Sequence, residues 1–352
     1  MTDNKNLPKI IENSGLALHK TRNLLSITDK ILASKRLAVV DDAWLDELIA
    51  WADENRISEE QLPRDKQKIL NLTQLNLSWN QLTEIPESIC NLTNLTYLGL
   101  SKNQLKELPK SIGKLTNLTR LYLYVNQLKE LPESIGNLTN LTELYLGYNQ
   151  LTELPESIGK LTNLLGLDLS NNQLTELPES IGKLTNLTEL YLYDNQLTEI
   201  PKFVGKLTNL TDLYLHDNQL TEIPESIGNL TNLTSLGLWD NQLTALPESI
   251  GNLTNLTSLS LSNNQLTEIP EFIGNLSNLT EWLNLSKNKL TELPESLGKL
   301  TNLTELYLSN NQLTEIPEFI GKLTNLTLLD LRWNPIKSLP PELSHLNSIT
   351  RF

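Results

Sequence analysis

Leu95-Thr96-Tyr97-Leu98-Gly99-Leu100-Ser101-Lys102-Asn103-Gln104-Leu105 is the stretch whose reading decides the fold. Reduced to Leu-x-x-Leu-x-Leu-x-x-Asn-x-Leu, it recurs with its asparagine at 80, 103, 126, 149, 172, 195, 218, 241, 264, 288, 311 and 334. These twelve units are 23 residues apart throughout, save one step of 24 between Asn264 and Asn288. A period of this length, kept this strictly, marks a solenoid in which each unit packs only on its neighbours.

The residue types assign themselves. Leu98 and Leu100 alternate with Tyr97, Gly99 and Ser101, so a short strand buries the leucines and turns the other three outward. Asn103 stands where the chain leaves the strand, and its amide is suited to bond turn backbone of its own and the adjacent coil. Leu105 and Leu108 carry the chain back across the core, and Pro109 keeps the return segment from pairing as a central strand. The back of each unit is therefore expected to be loose turn or short helix. Parallel strands about 4.8 Å apart would give a sheet on the order of 55 Å long, enough to hold a protein domain.

Residues 72–352 resemble intracellular-type leucine-rich-repeat proteins built on the 23-residue Leu-Pro-x-x-Ile-Gly-x-Leu-Thr-Asn-Leu unit, common in bacteria and in Ras-associated scaffold proteins. The resemblance implies an α/β solenoid: a right-handed horseshoe or arc with a parallel concave sheet and a convex side of loops or short helices. It also implies protein binding, and it brings no catalytic residues to carry over.

The two ends depart from the repeat. Residues 1–66 read as a helical capping region before a repeat domain over 67–352. Trp44, Leu45, Leu48, Ile49 and Ala52 fall at helical spacing after Asp41-Asp42, and Ser58 with Gln61 forms a candidate capping box for a final short helix. This region either covers the first coil or is a separate helical recognition domain. At the other end Leu346, Ile349 and Phe352 begin a thirteenth strand. Its exposed edge suits an end-to-end homodimer, a boundary inside a longer chain, or a short fraying cap.

A net charge of -14 disfavours nucleic acid and anionic membrane as partners, since both repel an acidic surface, and favours a basic one. Met1–Ser14 lacks the apolar core of a secretion signal, no run is long enough for a membrane span, and Cys90 is the single cysteine, so a cytoplasmic setting is expected. Cys90 takes the place that Gly113 and Gly136 hold in later units, which suggests a small residue in a turn. Catalysis is not expected: there is no phosphate-binding Gly-x-x-x-x-Gly-Lys loop, and His19, His216 and His345 lie in different regions. No cofactor or metal is expected either.

In a solenoid whose core positions are fixed by packing, partner information resides in the outward strand positions. The central units present Arg120, Tyr122, Tyr124, Tyr145, Tyr148, Asp168, Glu189, Tyr191, Tyr193, Asp194, Asp212, Tyr214, His216, Asp217, Trp239 and Asp240. Tyrosine and tryptophan supply rigid contact area with a polar end, as binding hot spots require, although Tyr122, Tyr145, Tyr191 and Tyr214 would also stack on one another along a sheet. Asp194, Asp217 and Asp240 share one position in consecutive coils; they are solvated acids at a strand end, a seat for a basic partner, or ligands to a cation. By contrast Glu84, Glu87, Glu130, Glu133, Glu153 and Glu156 recur on the return segments, where they are expected to be solvated and to carry no partner information. The extra residue near Leu279–Leu285 should bulge the strand and re-aim Trp282, outward as a further contact or inward as misplaced bulk, with outward favoured. The sequence thus predicts a non-catalytic protein-binding module. The alternatives are a self-assembling structural scaffold and the repeat portion of a larger signalling or effector protein.

Overall fold

A computed structural model describes residues 42–352. Thirteen strands among them, from β1 (Gln74–Asn76) to β13 (Thr350–Arg351), form one parallel sheet in strict chain order. The central strands are β3 (Arg120–Tyr122), β4 (Glu143–Tyr145), β5 (Gly166–Asp168), β6 (Glu189–Tyr191), β7 (Asp212–Tyr214), β8 (Ser235–Gly237) and β9 (Ser258–Ser260). Register is one coil per step: Leu144 pairs with Leu167, Leu167 with Leu190 and Leu190 with Leu213. Every such leucine is wholly buried, as are its coil partners such as Leu146, Leu169 and Leu174. No coil could bury its leucines alone, so the core is a property of the stack.

The return segments are single 3-10 turns, such as Glu156–Lys160 and Glu179–Lys183, each started by a proline in extended conformation. Adjacent turns approach closely. A Cβ added at Gly136 would stand 2.4 Å from the Ser157 carbonyl oxygen of the next coil, which is why the turn carries glycine there although its φ is not positive. Cys90 holds this position in the first coil, buried, and the turn facing it is shortened to Ile112–Lys114. Burial raises the pKa of its thiol, so it is a packed side chain and not an activated nucleophile.

The return-segment glutamates do more than sit in solvent. The Glu156 carboxylate accepts the Ser180 N–H of the next coil at 3.3 Å, Glu225 that of Ser249 at 3.1 Å, and Glu271 that of Ser296 at 2.9 Å. The Ser249 and Ser296 side chains, together with these backbone bonds, lower the pKa of Glu225 and Glu271. The backbone bonds satisfy free N–H groups that open these 3-10 turns. In these coils one acid is thus partly structural.

The asparagines form the expected ladder. Asn103 Oδ1 accepts the Leu82 N–H of the preceding coil at 3.0 Å, while its Nδ2 donates to Leu77 O in that coil and to Leu100 O in its own, both at 2.9 Å. The residue before each ladder asparagine has positive φ in all twelve units, from Trp79 to Trp333, and none is glycine.

Contacts divide the chain into two units, Met1–Ala50 and Trp51–Phe352. Helix α1 (Ala43–Glu54) crosses this boundary; its first turns bury Leu45 and Leu48. In the second unit Trp51, Ala52, Ile57, Leu62 and Ile69 are buried, Arg64 pairs with Asp53 at 2.7 Å, and Gln61 Nε2 donates to Asn76 O of β1. Ser58 and Gln61 close a turn and start no helix. The helix that follows, α2 (Lys66–Leu70), is capped instead by Asp65, which accepts the Lys68 N–H at 2.9 Å. Residues 1–41 of the expected capping region, His19 among them, lie outside the described residues.

Candidate partner-binding face

The outward positions fall into columns with one residue per coil. The central column runs Tyr122, Tyr145, Asp168, Tyr191, Tyr214, Gly237, and the strand registers place these side by side. The expected tyrosine stack is therefore broken at Asp168. Tyr122 and Tyr145 stack at 4.9 Å between centroids, and Tyr191 and Tyr214 make a separate tilted pair at 5.5 Å. Tyr122 also meets Tyr97 edge-on, and Arg120 lies 5.2 Å over the Tyr97 ring.

A second aromatic column lies two residues further along each strand, and it is the tighter one. His216 is stacked between Tyr193 at 4.5 Å and Trp239 at 3.6 Å, with interplanar angles of 7° and 14°. Gly237 makes this possible, since a Cβ there would stand 2.6 Å from the Trp239 ring. Before Tyr193 the same column holds only Gly147 and Ser170; Tyr124, beyond them, packs edge-on against Tyr148 at 5.0 Å.

The aromatic rings are held by polar tethers along the sheet. The Tyr122 hydroxyl donates to Glu143, Tyr191 donates to Glu189 at 3.1 Å, and Tyr214 shares a hydrogen bond with Ser235 at 2.9 Å. Burial and the neighbouring carboxylates raise the pKa of Tyr122 and Tyr191. Asp168 accepts both the N–H and the hydroxyl of Ser170 on Oδ1, at 2.9 and 2.6 Å. Burial nevertheless raises its pKa, against the lowering effect of those bonds.

Asp194, Asp217 and Asp240 occupy the left-handed position before the ladder asparagine, with φ of 57°, 53° and 53°. Asn171, Asn263 and Asn310 hold it elsewhere, and asparagine and aspartate are the side chains that best tolerate this backbone. The column thus has a conformational reason to be aspartate. Asp217 has its pKa raised by burial and by both neighbouring acids, and Asp240 accepts from Asn263. Among the described residues no three His, Cys, Asp or Glu side chains are grouped so as to hold a metal ion. Asp212 is tethered by the Thr211 hydroxyl at 2.8 Å.

Strand β10 (Trp282–Asn284) keeps its three residues. It pairs with β9 only through Leu283 and Asn284, while Thr280 and Glu281 both donate to Thr257 O. The extra residue is thus taken up just before the strand and not as a bulge within it. Trp282 stands outward and 40% exposed at the strand's first position.

Burial lowers the pKa of His216 from 6.5 to about 4, with Asp240 opposing the shift. Between these values the unfolded chain binds more protons than the folded one, so stability falls as pH drops from about 6.5 towards 4. With the ring still partly open to solvent the effect should be about 1–2 kcal/mol. Urea unfolding of the parent and of His216→Phe at pH 7 and pH 4.5 should show the variant losing less; parallel profiles would contradict a desolvated imidazole.

The sequence named most of the outward residues of these coils but not their organisation. The Tyr193–His216–Trp239 stack was present in the spacing, since all three are 23 residues apart, and reading down the columns reveals it. Tyr97, Glu143, Gly147 and Ser170 were passed over because each looks ordinary within its own unit.

One parallel sheet in chain order, buried leucines, an asparagine ladder and a variable outward face define a repeat solenoid of the recognition type. The chain belongs to the leucine-rich repeat family: the profile described as "Leucine-rich repeat region" matches residues 54–149, 144–234 and 202–309, and "Leucine Rich repeats (2 copies)" matches 301–348. Among solved structures it resembles a leucine-rich-repeat protein of Leptospira interrogans at 36% identity, over 83% of this chain and 87% of that one, with a TM-score of 0.60. An internalin of Listeria monocytogenes is similar at 29% identity, over 88% and 95%, with a TM-score of 0.67. The ectodomain of the Arabidopsis thaliana receptor kinase GASSHO1/SCHENGEN3, solved with CASPARIAN STRIP INTEGRITY FACTOR 2, is 39% identical over 77% of this chain, with a TM-score of 0.64; the match spans 37% of that ectodomain. No curated protein matches. Proteins of this family are in general non-enzymatic interaction scaffolds, and among the described residues no helix is long and apolar enough to cross a membrane.

Proposed function

We propose that the outward face of β3–β9 is the docking surface for a protein partner with a basic contact region, and that the chain acts by binding and not by catalysis. One observation carries this reading. From Glu143 to Asn263 the outward positions hold Glu143, Asp168, Glu189, Asp194, Asp212, Asp217 and Asp240, set among the aromatic columns, and no lysine or arginine. Rigid aromatic area within a field of one sign suits a partner of the opposite sign, steering encounter and fixing register. The structural neighbour solved with CASPARIAN STRIP INTEGRITY FACTOR 2 supports protein binding by this kind of scaffold. The same proposal sets the protein in a reducing, cytoplasmic compartment, on the single buried cysteine.

The test is a pair of charge reversals. Glu189→Lys/Asp212→Lys/Asp240→Lys changes the sheet face, and Glu153→Lys/Glu176→Lys/Glu199→Lys changes the return segments by the same charge. Quantitative affinity capture should show the first variant recovering its partner at least 10-fold less well and the second within about twofold of the parent. Equal losses would mean that net charge, and not this face, does the binding.

A further inference from the structure

Between the two aromatic columns of β6–β8 runs a trough of about 400 Å³, lined by Asp168, Tyr191, Tyr193, Tyr214, His216 and Trp239. Five of the six lining side chains are aromatic or imidazole rings, and the sixth is a carboxylate at one end. The long sides are the tilted Tyr191–Tyr214 pair and the parallel Tyr193–His216–Trp239 stack. Asp168 uses Oδ1 for Ser170; among the described residues none donates to Oδ2, which overlies Gly147, where a Cβ would stand 2.8 Å from it. We propose that this trough seats one arginine side chain of the partner, its guanidinium stacked on the ring faces and its N–H fork directed to Asp168.

The inference rests on the reading of this face as a protein-docking surface and names the side chain that anchors it. Charge selects a cation: the trough lies among Glu189, Asp194, Asp212, Asp217 and Asp240, with no basic residue at the outward positions of these coils. His216, lowered to about 4 by burial, is neutral at pH 7 and does not oppose a cation. Shape selects arginine over lysine. A planar, weakly hydrated guanidinium stacks on flat rings and presents a fork to a carboxylate, whereas an ammonium is a strongly hydrated point charge. Desolvated against rings, such a contact is stronger than the same pair in open water.

The experiment uses the whole chain and blocked tripeptides, Gly-Arg-Gly, Gly-citrulline-Gly and Gly-Lys-Gly, followed by the Trp239 indole N–H and His216 ring resonances in NMR titrations. Citrulline keeps the shape of arginine and removes its charge. The expected result is saturable shifts with the arginine peptide, at least 10-fold weaker binding of citrulline, and at least threefold weaker binding of lysine. Asp168→Asn should weaken the arginine peptide at least 10-fold with its melting temperature unchanged. If that variant unfolds, Trp239→Leu should abolish the arginine preference. No shift at Trp239, or citrulline or lysine binding as tightly as arginine, would overturn the assignment. The two readings fail separately. If protein capture ignores the sheet-face charge reversal while the arginine shifts persist, only the docking reading falls; if capture depends on the face while arginine leaves Trp239 unmoved, only this inference falls.

Discussion

Asn195→Ala should lower the unfolding free energy by about 3 kcal/mol or more, as should the same change at the equivalent ladder asparagines of the central coils. Asn195 is 8% exposed and works in two coils at once. Its Oδ1 accepts the Leu174 N–H at 3.0 Å, and its Nδ2 donates to Leu169 O at 2.9 Å, Leu192 O at 3.1 Å and Tyr193 O at 3.3 Å. Alanine removes all of these bonds and leaves the Leu174 N–H buried without an acceptor. An orphaned buried donor costs about 1–3 kcal/mol, and the carbonyls that lose their donor add to it. Urea unfolding followed by circular dichroism measures the loss; a shift below about 1 kcal/mol would mean that water replaces the side chain and that the ladder is not a structural bond set. In a stack held by nearest-neighbour contacts, damage at the centre also weakens cooperativity, so a shallower transition is the expected companion result.

Trp239→Ala is expected to cost about 2 kcal/mol or more of partner binding, roughly 30-fold in affinity. Trp239 closes one side of the trough and covers one face of His216 at 3.6 Å. Its removal takes away contact area and lets water onto the imidazole. The fold should lose far less, because Trp239 points out of the sheet and contributes only its stacking on His216, worth about 1 kcal/mol. Calorimetric titration against the captured partner, set beside thermal unfolding, separates the two effects. Ser260→Ala, one strand beyond Gly237 in the central column, is the control and should stay within about twofold. Equal losses for the two variants would remove the aromatic columns from the account of binding.

The fold was almost wholly legible in the sequence because a solenoid repeats its own explanation twelve times. Leu98 and Leu100 must face inward, Asn103 must bond turn backbone, and Pro109 must bar a second sheet; each statement holds in every coil. Irregular features were harder to read. Ser58 and Gln61 have the spacing of a capping box, but the chain makes only a turn there, and Asp65 caps the helix that follows. The extra residue near Trp282 was expected as a bulge, yet Thr280 and Glu281 absorb it before the strand, since the strand's leucine pair cannot leave the core. The aspartates at 194, 217 and 240 read as solvated acids, a seat for a basic partner or ligands to a cation; the left-handed backbone at that position supplies a further reason of its own. The outward residues were read from their strand positions, but the trough depends on which rings are neighbours across coils, and on the gaps left by Gly147, Ser170 and Gly237. That information lies between units and not within any of them.

The ladder has a direction. Every asparagine reaches back to the coil before it, so each coil gives side-chain bonds on one flank and receives them on the other, and all strands point the same way. Two copies brought together around a twofold axis would set giver against giver: their edge strands could pair only antiparallel, and the ladder could not run on across the seam. Only a head-to-tail arrangement would continue the ladder and the parallel register together.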